Sequence, residues 1–582
     1  MATDLAHTEV LVLDCQTTGS YPPKAHLLEI GWLRTRAVDP IKTGAAPIKS
    51  FLVQLPQDHL IPRHVARLTG ISDDAMQSAI APEDVCALLW AEAHQIAALE
   101  DLPACPTVIH YARFEIPFLM QLQRLRATVE SFPFHIICTH AVSTRLLPQL
   151  PRKGLRAVAG YLGHSVPELK RSAHHVHATA HVWGRLVEML AREEQIRTLA
   201  GITGWLASRQ RPVRSVRSYP LDPGKRVNLP DQPGIYRMLR SNGDVLYIGK
   251  AKSIRKRVAS YFQPSRHHPE HILEMLSQAR DINCTVTPSA FEAAVCESNA
   301  IKRLNPPYNV ALRSNSRQLC YLSRTYDRLA RTPDRAHPVG PLPLQDDIRL
   351  LSLLTADLTN RTSCRLLNAE SLQRYLNYYD GDSPGLECLE QGLLHFRQRH
   401  VRYFKNTSVA RACLQIGQAL WQQHVLLPDP DQPDDDAADE RAEPFKWTPE
   451  TVADLFDSIL LRSTHWIRRS HWLCWLSEAV IIWDRARGSS AKTCQQHVTL
   501  ENGNLTAAGR RKENPNEILL PPGWAVERLS RQRKIDLTTY DRLRVVTTEL
   551  RRLLAEDRSV EIVLRPGVCL LNARLSRLLQ WI

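Results

Sequence analysis

The chain has no C-x-x-C pair, and its thirteen cysteines are scattered without an even framework. That excludes a disulfide-stapled scaffold and suits a reducing compartment. It has no run of ~20 apolar residues, which excludes a bilayer-spanning helix. Met1–His7 is short and polar, so no signal peptide is expected and the expected location is cytoplasmic. What it does have is length and positive charge. At 582 residues it is too long for one core, and three or four domains are expected. A formal charge of +14 favours a polyanionic partner through phosphate neutralisation and counterion release.

The most informative stretch runs from Pro233 to Asn309. It reads P-G-I-Y at 233–236 and V-L-Y-I-G-K at 245–250, with Arg255 and Arg257 next, then Glu297 in A-A-V-C-E-S-N-A-I-K-R and P-P-Y-N at 306–309. Gly234–Leu239 and Val245–Ile248 are short β-type runs around Asn242-Gly243, a strong hairpin turn signal. Lys250 to Ser260 has helical spacing. Ser289 followed by Glu292 predicts the start of a helix that carries Glu297, and Asn305-Pro306-Pro307 predicts its end. Such an order can bring phenols, a guanidinium and a metal-binding carboxylate around one phosphodiester.

These residues resemble the GIY-YIG nuclease domain, in the form found in UvrC and Cho, over about residues 228–313. The resemblance implies that Tyr236 and Tyr247 are the motif tyrosines, with Lys250 beside them. It implies that Arg257 binds the scissile phosphate, Glu297 holds one Mg²⁺ or Mn²⁺ ion, and Asn309 organises the site. It further implies a nucleotide excision repair endonuclease that acts on DNA with UvrA and UvrB. A tyrosine, with a reference pKa of about 10, is a poor base unless a cation such as Lys250 lowers it. The residues leave open which tyrosine accepts a proton.

At the N-terminus, Val10-Leu11-Val12-Leu13 is a buried-type strand that leads into Asp14-Cys15-Gln16-Thr17-Thr18-Gly19. His110 to Leu119 and Ala173-His174 follow downstream. Residues 8–190 are similar in framework to DnaQ-like 3′–5′ exonucleases, which implies an RNase H-like fold. The metal ligands depart from that family's pattern. Gln16 stands at a glutamate position, Glu115 at an aspartate position and Thr179 at another, and there is no Asp or Glu between Lys170 and Val187. Two dications need anionic ligands, so this exonuclease site (Asp14, Gln16, Glu115, His174, Thr179) is expected to be degenerate. His174 is read as a relic general base. His177 and His181, at i,i+4, have a spacing that can bind zinc, but no cysteine or carboxylate completes a set nearby.

The expected organisation is α/β and multidomain. The DnaQ-like fold (8–190) is followed by a basic linker (191–227) and the GIY-YIG domain (228–313). After these come a mainly helical UvrC/Cho-like extension (314–427), an acidic disordered linker (428–445) and an α+β C-terminal domain of unassigned role (446–582). Arg209, Arg211, Arg214 and Arg217 in the linker, with Arg255, offer contacts to DNA phosphates. Trp466, Trp472, Trp475 and Trp483 are read as core residues. Two other readings stay open: an enzyme that both incises and trims, and a non-catalytic DNA-binding adaptor.

Overall fold

A computed structural model of the chain describes residues 4–20, 24–39, 48–56, 59, 61–72, 74–125, 131–164, 169–208, 218–263, 268–309, 318–359, 385–423, 447–484, 495–511, 535–564 and 568–580. The acidic linker (428–445) lies outside these residues, as do Arg209, Arg211, Arg214 and Arg217 of the basic linker, whose described parts carry the short helices Leu199–Ala207 and Pro223–Val227. The chain divides into two compact units. The first is Met1–Ala293 with Leu304–Ala311; the second is Ala294–Arg303 with Leu312–Ile582.

The first unit is α/β, as expected, and begins with a five-stranded sheet. Its strands are β1 (Val10–Thr17), β2 (Leu27–Thr35), β3 (Lys49–Leu52), β4 (Cys105–Ile109) and β5 (Phe134–Cys138). The order is β3-β2-β1-β4-β5, antiparallel from β3 to β1 and parallel from β1 to β5. Val10–Leu13 are fully buried because β1 is the central strand and is covered on both faces. Helix α1 (Pro82–Leu99) covers one face, packing Val85, Leu89 and Trp90 near Leu11 and Leu13. On the opposite face, Val182, Trp183 and Leu186 from a long helix cluster with Val10 and Val12. Helices α2 (Ala112–Arg124) and α3 (Leu155–Tyr161) precede that helix, α4 (Ser172–Glu193).

The start of α4 is tied to β2 through Glu29. This buried carboxylate accepts from Arg171 Nε at 2.9 Å and Nη2 at 2.6 Å, from the Ser172 amide at 2.8 Å, and from Ser50 Oγ at 3.0 Å. Burial pushes the carboxyl up, but the Arg171 and Ser172 bonds outweigh it and hold it below the usual glutamate value. A group with a depressed folded pKa contributes stability above its unfolded value, and that contribution fades as pH falls through the folded one. Glu29→Gln is therefore expected to lower stability at neutral pH by about 1–3 kcal/mol. In denaturant titrations the gap to wild type should close as the solution is acidified below the glutamate range.

The same unit holds a three-stranded antiparallel sheet of order β7-β6-β8, built from β6 (Gly234–Leu239), β7 (Val245–Ala251) and β8 (Asp281–Val286). The hairpin turn falls at the expected place, with Gly243 at φ 87° in the left-handed region. Helix α5 (Ile254–Ser260) follows, capped by Ser253 Oγ, and then α6 (Glu270–Gln278). Helix α7 (Ala290–Leu304) starts where Ser289 Oγ accepts from the Glu292 amide and stops before Asn305, as expected. Its residues 294–303 belong to the second unit, where Lys302 pairs with the fully buried Asp541 and Asn299 Oδ1 accepts from Arg542 at 3.0 Å.

The second unit opens with a small sheet of three short strands, Leu319–Leu322, Leu329–Ala330 and Val339–Pro343, in a segment expected to be mainly helical. The helices Asp346–Thr359, Leu386–Arg399 and Val409–Gln423 then pack on the long helix Pro449–Leu476. Beyond it lies a five-stranded antiparallel sheet from Ala479 to Leu571, so this part is α+β. Asn502-Gly503 forms the turn between two of its strands. The helix Leu537–Ala555 is followed by two more strands and Asn572–Leu579. Trp466, Trp472 and Trp483 are buried, whereas Trp475 is exposed. Among the described residues, no helix is long and apolar enough to cross a membrane.

Candidate active site

The β6–β7 register places Tyr236 opposite Gly249 and Met238 opposite Tyr247. Residues two apart on a strand share a face, so the two tyrosines rise on the same side of the hairpin. Their ring centroids are 6.2 Å apart. A third phenol completes a triangle: Tyr261, just past α5, lies 6.2 Å from Tyr236 and 6.5 Å from Tyr247. The Tyr236 and Tyr261 hydroxyls share a hydrogen bond of 2.8 Å. Arg257, one turn before Tyr261, holds its guanidinium carbon 5.2 Å from the Tyr261 ring centre and remains exposed. His268 stacks on the far side of this cluster, its Nε2 2.8 Å from the Tyr261 carbonyl.

Gly249 makes this packing possible. A Cβ there would fall on the Tyr236 hydroxyl and crowd the Tyr247 ring. Gly249→Ala is expected to displace one phenol and cost about 1–3 kcal/mol through overpacking. Thermal unfolding with near-UV circular dichroism checks this; an unchanged Tm and tyrosine signal would contradict it.

Electrostatics separate the tyrosines. Tyr236 is fully buried, and burial, followed by the neighbouring phenols of Tyr261 and Tyr247, pushes its pKa well up. The Arg257 charge pulls the Tyr236 phenol down, but burial outweighs it, so the condition under which a tyrosine becomes a useful base is not met at Tyr236. Tyr247 and Lys250 are both half-exposed. For Arg257, burial lowers the pKa, but the surrounding phenols outweigh this and leave it raised, so it stays charged.

Asn309 fastens β7 to the segment after α7. Its Oδ1 accepts from the Ile248 amide at 2.9 Å, and its Nδ2 donates to the Ile248 carbonyl at 2.8 Å. The Tyr308 amide donates to the Leu246 carbonyl at 3.1 Å. Both neighbours of Tyr247 on an outer strand are thus paired. Glu297 is half-buried on α7, in the stretch counted with the second unit. Arg255 is exposed, and its Nε donates to the Leu229 carbonyl at 2.7 Å, which braces the chain before β6.

In the N-terminal sheet, Asp14 is already partnered. Gln16 Nε2 donates to one of its oxygens at 2.9 Å, and His175 Nδ1 lies 3.2 Å from the other. The relic-base role was attached to His174, but His174 is exposed and its neighbour His175 meets Asp14. Burial lowers the His175 pKa, and the Asp14 charge more than reverses this. Glu115 is buried, and burial and then Asp14 push its carboxyl well above the usual range, so it is held neutral. Glu115 Oε2 and Thr179 Oγ1 are buried without hydrogen-bond partners. The structure also brings His164 to His177 and His181, with the His164 and His181 rings stacked at 4.7 Å. Stacked rings do not aim their nitrogens at one point, and among the described residues no set of three metal-ligating side chains forms.

Sequence reasoning missed Tyr261, His268 and His175. Tyr261 was within reach, because it stands four residues after Arg257, directly past the end of the helix that the spacing predicts. His268 and His175 gave no comparable signal.

Residues 232–310 match the family model of the UvrC-like GIY-YIG domain, so the chain carries such a domain there. A protein named UvrABC system protein C from Nitrosomonas eutropha is 40% identical over 159 residues, which covers 24% of this chain and 26% of the relative. Its namesake from Desulforudis audaxviator is 34% identical over 174 residues, 28% of each chain. The chain thus spans about a quarter of the length of these curated relatives. Among solved structures, the GIY-YIG N-terminal endonuclease domain of UvrC from Thermotoga maritima, bound to its catalytic magnesium, is 33% identical. That likeness covers 93% of that chain and 15% of this one, with a TM-score of 0.14.

Proposed function

We propose that the chain is a divalent-metal-dependent DNA endonuclease of the nucleotide excision repair type, which incises one strand near a lesion. The observation that carries this reading is the cluster of Tyr236, Tyr247, Tyr261 and Arg257 inside the segment that matches the UvrC-like GIY-YIG domain. Arg257, exposed and permanently charged, would spread positive charge over the phosphoryl oxygens. Tyr236 keeps its proton and spaces the cluster. Half-exposed Tyr247 is the phenol of the cluster that solvent and substrate can reach, and it is the one proposed to take part in proton transfer. Asn309 sets the strand on which Tyr247 stands.

Glu297 is the residue that would hold Mg²⁺ or Mn²⁺. A single half-exposed carboxylate suits an ion that keeps most of its waters, as Mg²⁺ does. When bound, such an ion supplies Lewis-acid stabilisation of developing charge. The matched relatives are named as part of the UvrABC system, which supports UvrA and UvrB as partners. The net charge of +14 supports DNA.

The N-terminal domain is read as DnaQ-like and RNase H-like, with its exonuclease lost. The strand order β3-β2-β1-β4-β5, antiparallel and then parallel, supports the fold. The loss is supported by Asp14 being paired with Gln16 and His175, Glu115 being neutral and Thr179 being uncharged. The test is to incubate the full chain with lesion-bearing duplex, with and without UvrA, UvrB and Mg²⁺. Incision near the lesion that requires Mg²⁺ is expected; binding without incision under every condition would leave the chain an adaptor.

A further inference from the structure

Helix α3 of the N-terminal domain lies against α6 of the three-stranded-sheet domain, and the contact is polar as well as close. Gln278, at the end of α6, is fully buried. Its Oε1 accepts from buried Arg240 Nε at 3.1 Å and Nη2 at 2.9 Å. Its Nε2 donates to the Tyr308 hydroxyl, which in turn donates to Glu274. The N-terminal domain closes this chain from outside. Arg156 sets its guanidinium carbon 4.5 Å from the Tyr308 ring centre and its Nε 3.6 Å from Glu274. Gly160 approaches Gln278 so tightly that a Cβ would collide with the amide. Around this centre, the Arg152 amide donates to Ser277 Oγ at 3.2 Å, and Arg280 lies over Tyr161 with 4.4 Å to the ring centre.

Tyr308 does not stop at this contact. Its own amide holds the Leu246 carbonyl, and the next residue, Asn309, holds both backbone groups of Ile248. Tyr247 stands between those two. A continuous set of contacts therefore runs from Arg156 through the Tyr308 ring to the outer edge of β7.

We infer that the N-terminal domain is a working part of the nuclease site, with Arg156 a positioning residue that fixes Tyr308 and Asn309 and thereby holds Tyr247 in place. This gives the domain a role that needs no exonuclease ligands. The activity arm of the inference rests on the proposed endonuclease reading; the structural arm does not.

The experiment uses the full chain and the variants Arg156→Ala and Arg156→Lys. Hydrogen exchange is read at the Ile248 and Tyr308 amides, with Val12 in β1 as an internal reference, and incision is measured at saturating DNA and Mg²⁺. In Arg156→Ala the Ile248 and Tyr308 amides should exchange faster while Val12 is unchanged. Its kcat should fall roughly 10-fold with KM and DNA binding nearly unaffected, because sub-ångström misplacement of a reacting group is costly. Arg156→Lys, which keeps a cation over the ring, should recover most of both. As a second route, Gly160→Ala should impair the site, and Gln278→Ala combined with it should relieve the collision.

Wild-type exchange at Ile248 and Tyr308 in Arg156→Ala overturns the inference, as does equal loosening of Val12. Wild-type kcat in that variant also overturns it. If the wild-type chain incises nothing, the endonuclease reading fails instead, and the exchange data alone decide whether the domain holds β7.

Discussion

Arg257→Ala and Glu297→Ala are each expected to remove strand incision, lowering its rate by about 10²–10³. Duplex binding should stay close to wild type. The reason for the split is where the charges act. Arg257 is exposed at the tyrosine cluster and would meet one phosphate, and Glu297 would hold one ion, whereas binding draws on a net +14 spread over the chain. Arg257→Lys should recover little, because a point charge cannot lie flat over Tyr261 and still present two parallel donors. The measurement is single-turnover incision of lesion-bearing duplex beside a binding titration. Near-normal cleavage by Glu297→Ala with Mg²⁺ present would refute the assignment of that residue.

The second large effect concerns the N-terminal site. The wild-type chain should release no nucleotides from a 3′ end, and Asp14→Ala should leave incision unchanged. Asp14 is bonded by Gln16 and His175, so a dication entering there would have to break both contacts and would gain little charge in return. Glu115, held neutral by burial and by Asp14, adds none. Replacing Gln16 with Glu, Glu115 with Asp and Thr179 with Asp together should restore Mn²⁺ binding, read by calorimetry, provided the fold survives. Processive 3′ digestion by the unmodified chain, lost in Asp14→Ala and kept in Glu297→Ala, would mean that the domain is active.

The sequence made the β6–β7 hairpin readable because its parts are close together and the Asn242-Gly243 turn fixes their register. Once two strands are in register, which tyrosines share a face follows from the pleat alone. The pairing of Asn309 with Ile248 spans 61 residues, and no local pattern predicts it. That His175, not His174, meets Asp14 was hidden for a different reason. A helix rich in histidine offers several on adjacent faces, and its phase is set only when Arg171 and Ser172 engage Glu29. The short strands at 319–343 escaped because two to five residues leave too little alternation to read.

Helix α7 has a consequence for how this molecule comes into being. Its C-terminal half waits for Asp541 and Arg542, residues that leave the ribosome long after Asn299, which lies 243 positions before Arg542. At ~5–20 residues per second, that is a delay of roughly 12–50 seconds during synthesis. Through that interval the hairpin with its tyrosines can fold, but the helix that carries Glu297 has no finished seat. A nascent chain, or one broken by a stalled ribosome, would therefore hold the tyrosine cluster and Arg257 without a settled Glu297. On the proposed endonuclease reading, the order of synthesis would delay the arming of the site until the chain is nearly made.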